Sequence, residues 1–342
     1  MNPSDAPPMP PNGAPARLAF GVMSAMTPAP VVAQLCQLLA PYPVLVHHDF
    51  SQQPDFAIDL PNVSFVKAPM RTGWTTWGFA QAILHTMDEA LERLEFDWFQ
   101  IVSDNALPVR PVAEFAQWLS GCPHDALLET VNLTAEPLAR LANGYRVYTP
   151  RGTIAHRLLW SAHRMAFPQR APRRLVAGQE IPLDVRRGRG GRQAARVYLA
   201  RLLLRAARGG LFGPHPFGSA LKPMIGAPWL TATPAVMRFL LRRAETPTLR
   251  AWLEKLDLPS ETTIATLLGN SSYRLGPCAM YTPGYDGGSV LEMTPERVHS
   301  AVADGRFFAR KFAADPNDPL RRELLATLGV SPDRVDSGVT DS

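Results

Sequence analysis

The sequence predicts an α/β fold in which flanking helices cover a mostly parallel sheet. Three observations carry that prediction. Short apolar runs alternate with amphipathic helical stretches over the first 130 residues, the order that builds strand–helix–strand units with parallel strands. Capping residues punctuate the helical stretches. Polar residues bunch where the apolar runs stop, at His47, His48, Asp49, Ser103, Asp104 and Asn105, and in such sheets ligands bind beyond the C-terminal strand ends. Polar residues also simply begin loops, so the bunch alone does not decide between a site and a turn.

The elements follow in order. "RLAFGVM" (17–23) is an unbroken apolar run of strand length, and "PAPVVAQLCQLLA" after it has helical spacing, with Thr27 placed to cap it. "PVLVHHD" (43–49) and "VSFVKA" (63–68) read as strands, and "GFAQAILHTMDEALERL" (78–94) as an amphipathic helix. "DWFQIVSD" (97–104) is a fourth strand, and "VAEFAQWLSG" is a helix closed by Gly121, a natural C-cap residue. "DALLETV" is another strand. Further on, "GAPWLTATPAVMRFLLRR" gives a loop and then a helix, with Thr233 as cap and Pro234 in the first position. "TLRAWLEKL" is helical, and "LPSETTIATLLGN" opens a helix with Ser260 capping and Glu261 in its first turn, where a carboxylate complements the helix dipole.

Between these parts lies an arginine-dense region, residues 164–210. Its "RRGRGGRQAARV" stretch begins as a Gly/Arg-rich loop, and 193–207 has helical periodicity with Arg196, Arg201 and Arg205 outside one apolar face. A solvated basic face, a contact with a membrane surface or lipid-linked substrate, and nucleic-acid binding are the three readings. The last lacks a binding motif and aromatic interleaving for stacking, so no nucleic-acid partner is expected. The layout is then a Pro-rich tail over 1–16, an α/β part over 17–135, an Arg-rich insert with helices over 136–220, a second part of the same domain over 221–330, and a flexible tail over 331–342.

Composition narrows the function classes. An apolar share of 46% in 342 residues suits a sizeable globular core, and a net charge of +5 fits a phosphorylated or polyanionic ligand without requiring one. Cys36, Cys122 and Cys278 are far apart in sequence, which gives neither a CxxC metal site nor a disulfide framework. No stretch has a signal-peptide layout or the roughly 18 apolar residues of a membrane span. A cytoplasmic protein, peripheral at the inner membrane if the basic segment 186–208 touches lipid, is the expectation. Near the end, "GRFFARKFA" (305–313) sets Arg310 and Lys311 among aromatics. Cations in greasy surroundings are costly unless an anion joins them.

Six stretches, in order, resemble the core-2/I-branching β-1,6-N-acetylglucosaminyltransferase family, which includes the peptide O-xylosyltransferases. They are "VLVHHD", "TTWGFAQAILHTMDEAL", "DWFQIVSDNALPVRP", "GAPWLTATPAVMRFLL", "LPSETTIATLLGNS" and "GRFFARKF". The likeness covers about residues 17–135 and 220–315 and leaves the arginine-rich insert unmatched. It implies a glycosyltransferase-A type, Rossmann-like fold and inverting transfer from a UDP-sugar, GlcNAc or xylose, to a glycan or lipid-linked glycan acceptor, with no divalent metal or other cofactor. Glu261 then matches the general base, and Lys311, with its neighbour Arg310, the cation site for the departing diphosphate. Asp49, with His47 beside it, matches the uridine-side contact, and Trp229 the acceptor-side tryptophan. The chain departs from the family where Ala106 stands in place of an aspartate, leaving Asp104 or Asn105 as substitutes, and where Arg274 is the nearest match to a second phosphate-binding cation. These departures keep open a non-catalytic, nucleotide-sugar- or glycan-binding relative.

Overall fold

The structure, a computed structural model, describes residues 13–73, 75–167, 173–182, 191–286 and 289–330. The expected tails over 1–12 and 331–342, and the Gly/Arg-rich loop at 186–190, lie outside the described residues. The chain opens with β1 (Leu18–Ser24), α1 (Ala29–Leu38), β2 (Val44–His48), β3 (Val63–Phe65), α2 (Trp77–Arg93) and β4 (Trp98–Ser103). There follow β5 (Leu107–Pro108), α3 (Val112–Ser120), β6 (Ala126–Leu127) and β7 (Val131–Asn132). The middle holds α4 (Pro137–Tyr148), α5 (Ile154–Ala166), β8 (Arg173–Val176), β9 (Gln179–Pro182), α6 (Gly191–Arg208) and β10 (Met224–Ile225). Next come β11 (Thr231–Ala232), α7 (Pro234–Ala244), α8 (Pro247–Leu253), α9 (Pro259–Gly269) and β12 (Leu275–Gly276). The chain closes with β13 (Met280–Tyr281), β14 (Tyr285–Asp286), β15 (Ser289–Val290), α10 (Pro295–Ala303), β16 (Phe308–Ala309) and α11 (Pro319–Thr327).

The architecture is α/β, around a seven-stranded sheet of order β12-β6-β11-β4-β1-β2-β3. β1 pairs with β2 and β4 in parallel, as alternation with helices requires, and β2 pairs with β3 in parallel through a connection that holds no helix. β1 and β4 are buried at every residue, because a parallel strand covered on both faces has no polar side to alternate. β11 runs antiparallel between β4 and β6. Its two residues sit in the stretch read as a loop; a strand that short leaves no period to detect. The expected single strand over 125–131 divides, with β6 joining the main sheet and β7 pairing with β10 outside it.

Local capping differs from expectation at several helix ends. α1 starts after Pro28 with no side-chain cap, and Thr27 instead acts on the Asp104 carboxyl, favouring its charged form. Thr233 does precede Pro234 at the start of α7, but its hydroxyl donates to the Asp125 carbonyl at 3.2 Å. Ser260 lies inside α9, whose cap position is Leu258 at φ 53°, a left-handed conformation that costs a branched residue on the order of 1 kcal/mol. Gly121 closes α3 at φ −112° without entering that region.

Two hydrophobic cores result. The larger joins the sheet to α1, α2, α3, α7 and α9. The smaller spans residues 131–225 and packs α4, α5 and α6 around Leu141, Tyr145, Leu159, Val197 and Leu204. α4, α5 and the β8–β9 hairpin had no counterpart among the elements read from the sequence. The hairpin turns on Ala177 and Gly178, both at positive φ (51° and 73°), the type I′ geometry that favours glycine.

Candidate active site

A cavity of about 580 Å³ opens between the two cores. The body contributes Asn105 just beyond β4, Leu258 and Glu261 at the start of α9, Tyr285 on β14, and Arg310 and Lys311 after β16. The insert contributes Tyr145 and Arg146 from α4, His163 from α5, and Arg173, Gln179 and Glu180 from the hairpin.

Glu261 is the third residue of α9 and points away from the body core. Gln179 Nε2 donates to its Oε2 at 2.8 Å, and Arg146 Nη1 to the same oxygen at 3.3 Å. Oε1 takes no hydrogen bond from the described residues, so one carboxylate oxygen is anchored and the other is left without such a bond. Burial pushes the carboxyl above its ordinary range, while Arg146, Gln179 and Arg310 draw it back. The outcome is a carboxylate held in place yet more basic than a solvated one.

Arg310 and Lys311 extend from β16, which lies between β13 and β5 in a small three-stranded sheet. Phe307, Phe308 and Phe312 are buried on either side of them, so the aromatics of this stretch serve the core while the cations turn to the cavity. The Arg310 guanidinium lies 4.7 Å from the centroid of the Trp229 ring. Its buried Nε has no hydrogen-bond partner, and it forms no ion pair with the described residues. Burial lowers its proton affinity, and Tyr285, Asp104 and Glu261 partly restore it. Lys311 makes no side-chain hydrogen bond or ion pair with the described residues. Two uncommitted cations beside an anchored carboxylate suit an anion larger than a carboxylate.

The other expected residues are placed as follows. The polar bunch does gather at one sheet edge, since His47 and Ser103 both pair with Met23 and His48 pairs with Ser24. It is largely spent within the protein, however. Asp49 is 1% exposed; Ser51 and Thr72 give it four hydrogen bonds of 2.6–3.1 Å. Burial opposes its charge, and those bonds outweigh burial to hold it below the usual carboxylate range. His47 Nε2 accepts the Met70 amide at 3.0 Å, and burial lowers its pKa to about 4. Asp104 is not among the cavity-lining residues; burial raises its pKa, and Thr27 and the Ala25 backbone draw it back. Asn105 reaches the wall, its Oδ1 held by Ser103 Oγ at 3.0 Å. Ala106 is wholly buried.

Arg274 is not brought to the cavity. It pairs with Asp125 at 3.3 Å just before β12 and β6, at the end of the sheet opposite the polar edge. Trp229, 5% exposed, lines a second cavity of about 280 Å³ that also holds the 2.8 Å Glu129–Arg306 pair. Among the described residues no group of three or more His, Cys, Asp or Glu could hold a metal ion, and the three cysteines are free.

Arg146, Gln179, His163 and Tyr285 were not anticipated from the sequence. The Tyr285 hydroxyl donates to the Gly178 carbonyl at 2.8 Å, tying β14 to the hairpin turn; burial, then Glu261, lifts its pKa to about 12. Burial and the charges of Arg146 and Arg173 lower His163 to about 4, so it adds no charge to the cavity at neutral pH. A signal for Arg146 does exist: "GYRVY" sets a cation among aromatics just as "FFARKF" does. No family model matches the chain, and no curated protein matches it.

Proposed function

We propose that the protein is an inverting glycosyltransferase of the glycosyltransferase-A type, moving GlcNAc or xylose from a UDP-sugar to a hydroxyl of a glycan acceptor in surface or exported polysaccharide synthesis. The observation that carries this reading is the meeting of Glu261, Arg310 and Lys311 around one cavity, with Asn105 from the sheet edge beside them. In the proposed step, Glu261 Oε1 takes the proton of the acceptor hydroxyl as its oxygen attacks the anomeric carbon. The bond from that carbon to the diphosphate oxygen breaks, and UDP leaves with the electron pair. Arg310 and Lys311 meet the charge that builds on the diphosphate, so the step is written without a divalent ion. A raised pKa suits a base working near neutrality, and the anchoring of Oε2 fixes which oxygen receives the proton.

A second reading, a nucleotide-sugar- or glycan-binding protein without transfer activity, is favoured by a different observation. Ala106 is sealed in the core, and Asp49 and Asp104 are engaged by protein groups, so the carboxylates expected on the donor are not offered to it. Calorimetry with UDP, then turnover of a panel of UDP-sugars with and without EDTA, separates the two. Turnover that survives the chelator sustains the first reading. UDP binding without turnover of any donor moves the conclusion to the second, and absence of UDP binding overturns the first and the nucleotide-sugar form of the second.

A further inference from the structure

The outer face of α5 and α6 belongs neither to the cavity nor to either core. Among the described residues ten large hydrophobic side chains are exposed, and eight of them fall between residues 154 and 211. On α5, Ile154, Leu158 and Met165 fall on one helical stripe and are 72%, 48% and 42% exposed. On α6, Val197, Ala200, Leu204 and Ala207 face the smaller core, while Tyr198 and Leu202 stand on the opposite side. One apolar face is enough to pack a helix; α6 has a second. The two helices pack along each other and both rest on α4, which makes their outer faces neighbours.

Charge identifies the occupant. Neither α5 nor α6 contains an acidic residue. Arg157 and Arg164 border the α5 stripe along one side, and Arg201 and Arg205 border Tyr198 and Leu202 in the same way. The Arg164 guanidinium lies 4.8 Å from the centroid of the Trp160 ring. Apolar side chains at the centre, cations along one margin and no carboxylates between them is the pattern of a helix lying in a lipid interface, where long cationic side chains reach the headgroups. A second copy of this chain would set arginine against arginine. A nucleic acid would satisfy the arginines and leave the leucines, isoleucine and methionine facing phosphate.

We infer that the α5–α6 face docks on an anionic lipid surface. The inference is independent of the transfer chemistry, although His163 and Phe167 of the cavity wall lie within a helical turn of exposed Arg164 and Met165. The test is flotation of the full chain with vesicles of equal parts phosphatidylglycerol and phosphatidylcholine, against vesicles of phosphatidylcholine alone. Binding to the anionic vesicles is expected, with loss at high salt and at least a tenfold loss in Leu158→Asp/Leu202→Asp. A second variant, Arg201→Glu/Arg205→Glu, leaves the apolar residues in place and should lose anionic binding equally; unchanged melting temperatures confirm that each variant folds. No binding, equal binding to both vesicles, or binding that neither variant weakens would overturn the inference. So would a wild-type dimer in size-exclusion chromatography that Leu158→Asp/Leu202→Asp splits, since a second copy would then cover the face.

Discussion

Residues 137–225 carry seventeen Lys and Arg against two carboxylates, whereas the remainder of the chain carries eighteen against twenty-eight. The two regions also have separate cores, and the cavity lies where they meet. The body provides the groups given chemical roles, Glu261, Arg310 and Lys311, on a helix start and a strand end. The insert provides Arg146 and Gln179, which hold Glu261 still, and His163, which stays neutral. The difference teaches a division of labour. A helix start can present a carboxylate to a cavity, but fixing its orientation took a donor pair from a basic region that packs across from it.

Predictions that would break or sharpen this division run from large to small. Glu261→Gln should lower transfer by about 10²–10⁴-fold, the range of general base catalysis, while UDP affinity by calorimetry stays near wild type. Full turnover in that variant would remove the body carboxylate from the chemistry.

Acid stability compares the regions directly, because each buries one histidine with a pKa near 4, His47 in the body and His163 in the insert. A histidine depressed in the folded state contributes stability that is fully present above its unfolded pKa of 6.5. That stability is lost as pH falls toward 4. The stability lost across that window is on the order of a few kcal/mol for each. Urea unfolding at several pH values should therefore show less acid sensitivity in His47→Gln and in His163→Gln. If the insert unfolds on its own, only His163→Gln will move the earlier transition.

Lys311→Ala should weaken UDP binding by about tenfold or more, since a hydrogen bond to a charged group contributes about 1.5–3 kcal/mol; manganese should not restore it. Arg146→Ala should cost transfer about tenfold and move the acid limb of the rate profile to higher pH. The sign follows from removing a cation that draws the Glu261 pKa down. Arg146→Lys should return the limb most of the way, which a merely structural residue would not do. Arg274→Ala, at an exposed pair on the far end of the sheet, should leave turnover and stability near wild type, because solvent screens such a pair.

Much of the body was legible because its signals are local. β1 and β4 read as strands since burial on both faces leaves an unbroken apolar run, and α2 since Ala80, Ile83, Leu84, Met87 and Ala90 repeat at helical spacing. Glu261 and Arg310 drew notice through a helix start and through aromatic neighbours. The polar edge was legible, but what its side chains face was not. Whether Asp49 faces a ligand or Thr72 depends on a loop 23 residues away, and strand patterning carries no record of that.

By itself, then, the chain's order of residues determined the parallel sheet, its helices and the basic character of the middle region, because each follows from neighbours within a few turns. Only the folded arrangement decided which side chains reach the Glu261 carboxylate. Arg146 and Gln179 meet Glu261 across 115 and 82 residues of sequence, and Arg274 is kept from it by a partner 149 residues away. Such contacts come from docking one core against another, where shape and charge over long separations choose the partner and no short stretch encodes the choice.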